Sequence, residues 1–187
     1  KEKRENSQLD NLSDIKEILN SKSYNLNNSK IDYPFKKKWK INTEQRIDDR
    51  NPYLPDPLFF DSNIYLLNTK GYLYKINSDD GKLIWKKQIF NDLENTIIGT
   101  PAISGTKNKN NTLTLYAHNG SRELLAINGT DGTVIWKKKN DLPLRGGITS
   151  YKKYLFVSDF DGNFLSINNI NGEVLWNIFL GTEYNSV

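Results

Sequence analysis

No cysteine and no methionine occur among the 187 residues, and His118 is the single histidine. The missing thiols exclude a disulfide framework, a thiolate metal site and a cysteine nucleophile. They do not set the compartment, because an exported protein need not use disulfides. One imidazole cannot make a histidine metal cluster. His118 closes an apolar run just before Asn119-Gly120 and reads as an exposed or hydrogen-bonded turn residue. No apolar stretch reaches the roughly 18 residues of a membrane-spanning helix, and residues 1–20 lack the apolar centre of a signal peptide. Methionine is missing even at position 1, which fits either a processed chain or an internal fragment. Metalloprotease, nucleophile-elbow, P-loop and dinucleotide-binding motifs are absent as well. The sequence therefore predicts no catalytic residue and no metal site.

Positive charge is scarce outside one end. Residues 1–40 hold ten Lys/Arg against six Asp/Glu, which accounts for the net charge of +4 and leaves sixteen of each in residues 41–187. A neutral body argues against the continuous basic face of a nucleic-acid binder. Residues 1–35 read as a polar, basic, solvated arm. Within it Leu12, Ile15, Ile18 and Leu19 fall at helical spacing, so a short amphipathic helix over residues 9–20 is an alternative to a flexible arm.

What the chain does have is repetition. Residues 71–85 read GYLYKINSDDGKLIW, residues 120–136 GSRELLAINGTDGTVIW and residues 162–176 GNFLSINNINGEVLW. Each carries Ile-Asn, then an Asp/Asn-Gly pair, then three residues to Trp. Ile76 to Trp85, Ile127 to Trp136 and Ile167 to Trp176 all span nine positions. Trp39 ends a degenerate earlier copy. The tryptophan separations of 46, 51 and 40 suit a four-stranded propeller blade.

The local chemistry of each copy agrees. Runs such as Tyr72–Ile76 are aromatic and β-branched, hence strand-like. Asp80-Gly81, Asp131-Gly132 and Asn171-Gly172 supply the positive φ of a tight hairpin. Leu125 and Ile127 point to one face of their strand and Leu124 to the other, as a blade stacked between two neighbours requires. Trp85, Trp136 and Trp176, with Gly81, Gly132 and Gly172, form the structural signature of the repeat. The expectation is an all-β, partial β-propeller of four-stranded antiparallel blades over residues 36–187, three clear and part of another.

The repeat resembles the PQQ-type propeller family, whose pattern is roughly Ala-x-Asp-x-x-Thr-Gly-x-x-x-Trp. Lys75, Ala126 and Ser166 stand at its Ala position, and Asn77, Asn128 and Asn168 at its Asp position. Asp80, Asp131 and Asn171 replace its Thr, while Gly and Trp are kept. One branch is the quinoprotein dehydrogenases, which hold PQQ and calcium. The chain is more similar to the other, non-enzymatic branch, the BamB-like lipoproteins of outer-membrane β-barrel assembly, and this implies no cofactor. Leu142-Pro-Leu-Arg-Gly146 is similar to the loop with which that branch binds a BamA-like barrel subunit, so the resemblance implies Leu142, Leu144 and Arg145 as partner contacts. The other reading of the same residues is that Leu142 and Leu144 open the innermost strand of the next blade and Arg145 is a solvated turn residue.

The resemblance further implies unfolded outer-membrane-protein clients and a place on the periplasmic face of the outer membrane, with no lipid anchor visible in the chain. Three blades and a part do not close a ring. A truncated chain, a split gene product and a homodimer completing the propeller all satisfy closure.

Overall fold

The computed structural model describes residues 38–43, 55–68, 70–91, 101–108 and 110–181. The expected arm or helix over residues 1–35 lies outside them. Among the described residues, alternating apolar residues and Asx-Gly turns produce twelve strands in three meanders. The first sheet is β1 (Leu58–Phe60), β2 (Asn63–Leu67), β3 (Tyr72–Asn77) and β4 (Leu83–Gln88). The second is β5 (Ala102–Lys107), β6 (Leu113–His118), β7 (Glu123–Asn128) and β8 (Val134–Lys139). The third is β9 (Leu144–Tyr151), β10 (Tyr154–Asp159), β11 (Asn163–Asn168) and β12 (Val174–Phe179). In each, neighbours in sequence are antiparallel neighbours in space, which makes three blades of a partial β-propeller.

Asx side chains set the turns. Asn77, Asn128 and Asn168 accept from the backbone N–H of Asp79, Thr130 and Ile170 through Oδ1. Asp80, Asp131 and Asn171 accept from Lys82, Thr133 and Glu173. The departures from the family pattern thus keep its function, since Asn and Asp hold their own turns in this way. The β2–β3 hairpin and its two successors are organised likewise by buried Asn68, Asn119 and Asp159.

The core lies between blades rather than inside one. Tyr65, Leu67 and Leu73 of the first blade meet Leu113, Leu115, Leu125 and Ile127 of the second. On its other face the second blade turns Tyr116, Leu124 and Ala126 toward Leu144, Leu155, Val157 and Ile167 of the third. Alternation along β7 therefore divides one strand between two seams. Burying a Leu or Ile fully contributes about 1.5–3 kcal/mol, and Leu124, Leu125 and Ile127 have no more than 1% of their surface exposed.

Each outer strand carries one extra residue just before its tryptophan. Lys75 pairs with Trp85 but Ile76 with Leu83, and the same slip recurs at Trp136 and Trp176. The bulged residues are Ile84, Ile135 and Leu175. Such a bulge re-aims the following side chain, here a ring large enough to cross to the next blade.

Candidate functional site

The tryptophans do structural work across the seams. Trp39 Nε1–H donates to the Ser78 carbonyl at 2.9 Å, Trp85 to Thr130 at 2.9 Å and Trp136 to Asn169 at 3.1 Å. Each ring also lies on the signature glycine of the following repeat. A Cβ on Gly81 would sit 2.5 Å from the Trp39 ring, and one on Gly172 would sit 3.1 Å from that of Trp136. Positive φ and this approach together require glycine there. Trp176 occupies the same place in the third repeat, and among the described residues its N–H has no acceptor. Among the described residues its ring partners are Phe156 and Phe164 of its own blade, and it is 41% exposed.

The segment Leu142–Arg145 crosses from the second blade to the third. Asn140 donates twice to the Arg122 carbonyl, and Leu144 N–H donates to Ser121 at 2.7 Å. Leu144 then opens β9 and is wholly buried in the second seam. Leu142 is half-buried beside a groove of about 190 Å³ that also touches Asp159, Leu165 and Asn177. Arg145 is exposed, with its guanidinium 5.9 Å from the Phe160 ring centroid. The three residues are therefore adjacent in the chain but not on one surface. Leu144 faces the core, while Leu142 and Arg145 reach solvent.

After Arg145 the chain bulges. Ser158 pairs with Arg145 and Phe156 with Thr149, so β9 spends two residues more than β10 over this interval. Gly146 and Gly147 sit in it with nothing near their missing side chains. His118 braces the bulge. Its Nδ1 accepts from Gly120 N–H at 3.1 Å, which leaves the proton on Nε2 to donate to the Gly146 carbonyl at 2.9 Å. Burial pushes this imidazole down to about 4, against the weaker upward pull of its bond to Gly146. The residue is neutral and structural, tying the end of β6 to the start of the third blade.

Asp159 and Asp161 are the nearest approach to an oxygen-rich cation site. Calcium needs six to eight converging oxygens. Asp159 Oδ1 instead accepts from Asp161 and Asn163 N–H, and its Oδ2 from Asn163 Nδ2. Among the described residues no three of His, Cys, Asp or Glu converge, so these residues do not fit the calcium of the quinoprotein branch. No helix among them is long and apolar enough to cross a membrane.

Blades joined by a tryptophan seated on the next repeat's Asx-Gly turn define the PQQ-type propeller class. A family model described as outer membrane protein assembly factor BamB matches residues 36–186, and the chain belongs to that family. Among solved structures it is similar to BamB from Moraxella catarrhalis, at 13% identity and a TM-score of 0.50, over 67% of this chain and 37% of that one. It is equally similar to quinohemoprotein alcohol dehydrogenase from Comamonas testosteroni, at 16% identity and a TM-score of 0.50, over 68% of this chain and 21% of that one. At these identities both likenesses show the fold alone. A curated relative, tetrathionate hydrolase of Acidithiobacillus ferrooxidans, is 25% identical over 145 residues, 67% of this chain. The chain spans only 28% of the length of that relative. The comparisons thus join a family described as an assembly factor with a curated relative that is an enzyme.

Proposed function

We propose that the chain is a non-catalytic binding module that holds a BamA-like β-barrel assembly subunit at the periplasmic face of the outer membrane and assists delivery of unfolded barrel clients. The observation that carries this reading is an exposed Arg145 on a braced bulge, flanked by half-buried Leu142. Arginine offers a planar, multi-donor cation, and such anchors dominate interface energetics when backed by rigid structure. Leu144 serves the site from below, by fixing where the loop leaves the core. Family membership supports the reading.

The test is binding of the purified chain to a BamA-like subunit by calorimetry. Arg145→Ala should weaken binding at least about tenfold and Leu142→Ala about threefold, both without loss of stability. Leu144→Ala should instead lower the unfolding free energy by about 2–5 kcal/mol. Unchanged affinity in both Arg145→Ala and Leu142→Ala would remove the assignment. The other reading, a piece of a quinoprotein dehydrogenase, predicts quinone absorbance and dye reduction once PQQ and calcium are added. We further propose that a second copy completes the ring through the open face around Trp176. Sedimentation at twice 21.6 kDa, reverting to one mass in Trp176→Asp, checks that contact.

A further inference from the structure

Two consecutive seams are built from the same repeat, yet the first is filled beside its tryptophan and the second leaves a cleft there. In the first, Lys75 lies in register with Tyr65 and Trp85. Its side chain runs past the Tyr65 ring, 5.7 Å from Nζ to the centroid, and donates to the Gly129 carbonyl at 3.1 Å. In the second seam Ala126 holds that position, in register with Tyr116 and Trp136. Ala126 itself is wholly buried, and beside its register partners Tyr116 and Trp136 a cleft of about 590 Å³ opens.

Its walls and rim have distinct chemistry. Tyr116, Trp136 and Ile170 supply ring and aliphatic surface, and Lys107, Lys152 and Lys153 supply charge. Among the described residues no carboxylate lines it. Lys107 is already paired with Asp61 at 2.6 Å, so the excess positive charge lies with Lys152 and Lys153. These two are exposed, their ammonium groups resting over Tyr151 and Tyr154. Burial pushes the Tyr116 phenol up to about 12, so it stays a neutral wall residue. The volume falls within the roughly 300–1,000 Å³ of small-ligand sites.

We propose that this cleft binds a small organic anion bearing an aromatic ring, the ring against Trp136 and Tyr116 and the charge toward Lys152 and Lys153. Offset or edge contacts between rings favour such seating, and the two ammonium groups select the anion over its neutral analogue. The inference goes beyond the partner-binding reading and does not depend on it, since the Arg145 bulge lies outside this cleft.

Calorimetric titration of the full chain with 2-naphthoate and with uncharged 2-naphthamide tests it. The carboxylate should bind about tenfold more tightly than the amide, and the double variant Lys152→Gln/Lys153→Gln should erase that preference while the amide still binds. Ala126→Lys rebuilds the filled seam and should abolish binding of both compounds. Ile170→Asp, at a position 73% exposed, keeps the fold if the buried substitution does not, and should weaken the carboxylate about tenfold. Undiminished binding in Ile170→Asp and in folded Ala126→Lys would overturn the site. So would a lack of 2-naphthoate binding at millimolar concentration, including the case in which only an acidic aromatic peptide binds.

Discussion

Trp136 and Trp176 hold equivalent places in successive repeats, each one bulge beyond a strand start and each against the aromatic residue of the second strand in its blade. Trp136 crosses to the third blade, donates to Asn169 and lies on Gly172. Trp176 lies over its own blade with Phe156 and Phe164, and Ile178 and Phe179 beside it are 53% and 66% exposed. The difference teaches that the signature encodes half of a contact. The tryptophan belongs to one repeat, and its socket of carbonyl and positive-φ glycine belongs to the next. Stability in such an array is a sum of blade terms and seam terms, and the seams hold most of the buried apolar surface here.

The strongest way to break that comparison is to truncate the two rings. Trp136→Ala should cost about 3 kcal/mol in urea unfolding, through lost burial and an unfilled seam, while Trp176→Ala should cost less than about 1 kcal/mol. Equal losses would mean that the ring matters within its blade and that the socket contributes little.

Acid should strain the closed seam next. His118 titrates near 6.5 when unfolded and is held at about 4 when folded. Its folded value is depressed, so its contribution is fully present above pH 6.5. Between there and pH 4 the unfolded chain takes up the proton first, and stability falls as pH falls, by about 3 kcal/mol in total. Denaturant midpoints measured across that window should drop in the native sequence. In His118→Gln, whose amide can still donate to Gly146, the His118 share of the drop should vanish. A window that survives the substitution would assign it to carboxylates elsewhere.

The seam was partly legible in the sequence and partly not. The nine-residue interval from Ile to Trp placed strands, turns and tryptophans, because period-two apolarity and Asx-Gly turns are local properties. The bulged Ile84, Ile135 and Leu175 left no such mark: an extra apolar residue in an apolar strand looks like continuation. His118 ends a strand before a turn, which fits an exposed or a bonded residue equally. Its burial comes from a loop 28 residues later in the chain. Leu144 shows the same limit at the candidate site. Leu142-Pro-Leu-Arg carries two leucines at alternate positions, and only the tertiary fold decides that Leu144 faces the seam while Leu142 does not.

Glycine gives a smaller and sharper contrast. Gly172 has φ of +76° and would put a Cβ 3.1 Å from the Trp136 ring, whereas Gly181 has φ of +94° with nothing within 4 Å. Gly181→Ala should therefore cost only left-handed backbone strain, about 1 kcal/mol, and Gly172→Ala about 2 kcal/mol because the docked ring must also shift. Combining Gly172→Ala with Trp136→Ala should remove the difference, since the ring that clashes is then absent. Additive losses in the double variant would show that the two residues do not share a contact.

The smallest effect concerns a single hydroxyl and has the opposite sign. Ser166 sits where Ala126 and Lys75 sit in the preceding blades, in register between Phe156 and Trp176. It is wholly buried, and its Oγ has no hydrogen-bond partner among the described residues. A buried hydroxyl without a partner costs desolvation energy that nothing returns, so Ser166→Ala should stabilise the chain by about 1 kcal/mol. Ala126 shows that the repeat accepts a methyl at this place in a closed seam. A loss instead of a gain would mean that the open face already lends Ser166 an acceptor, and that Trp176 is covered after all.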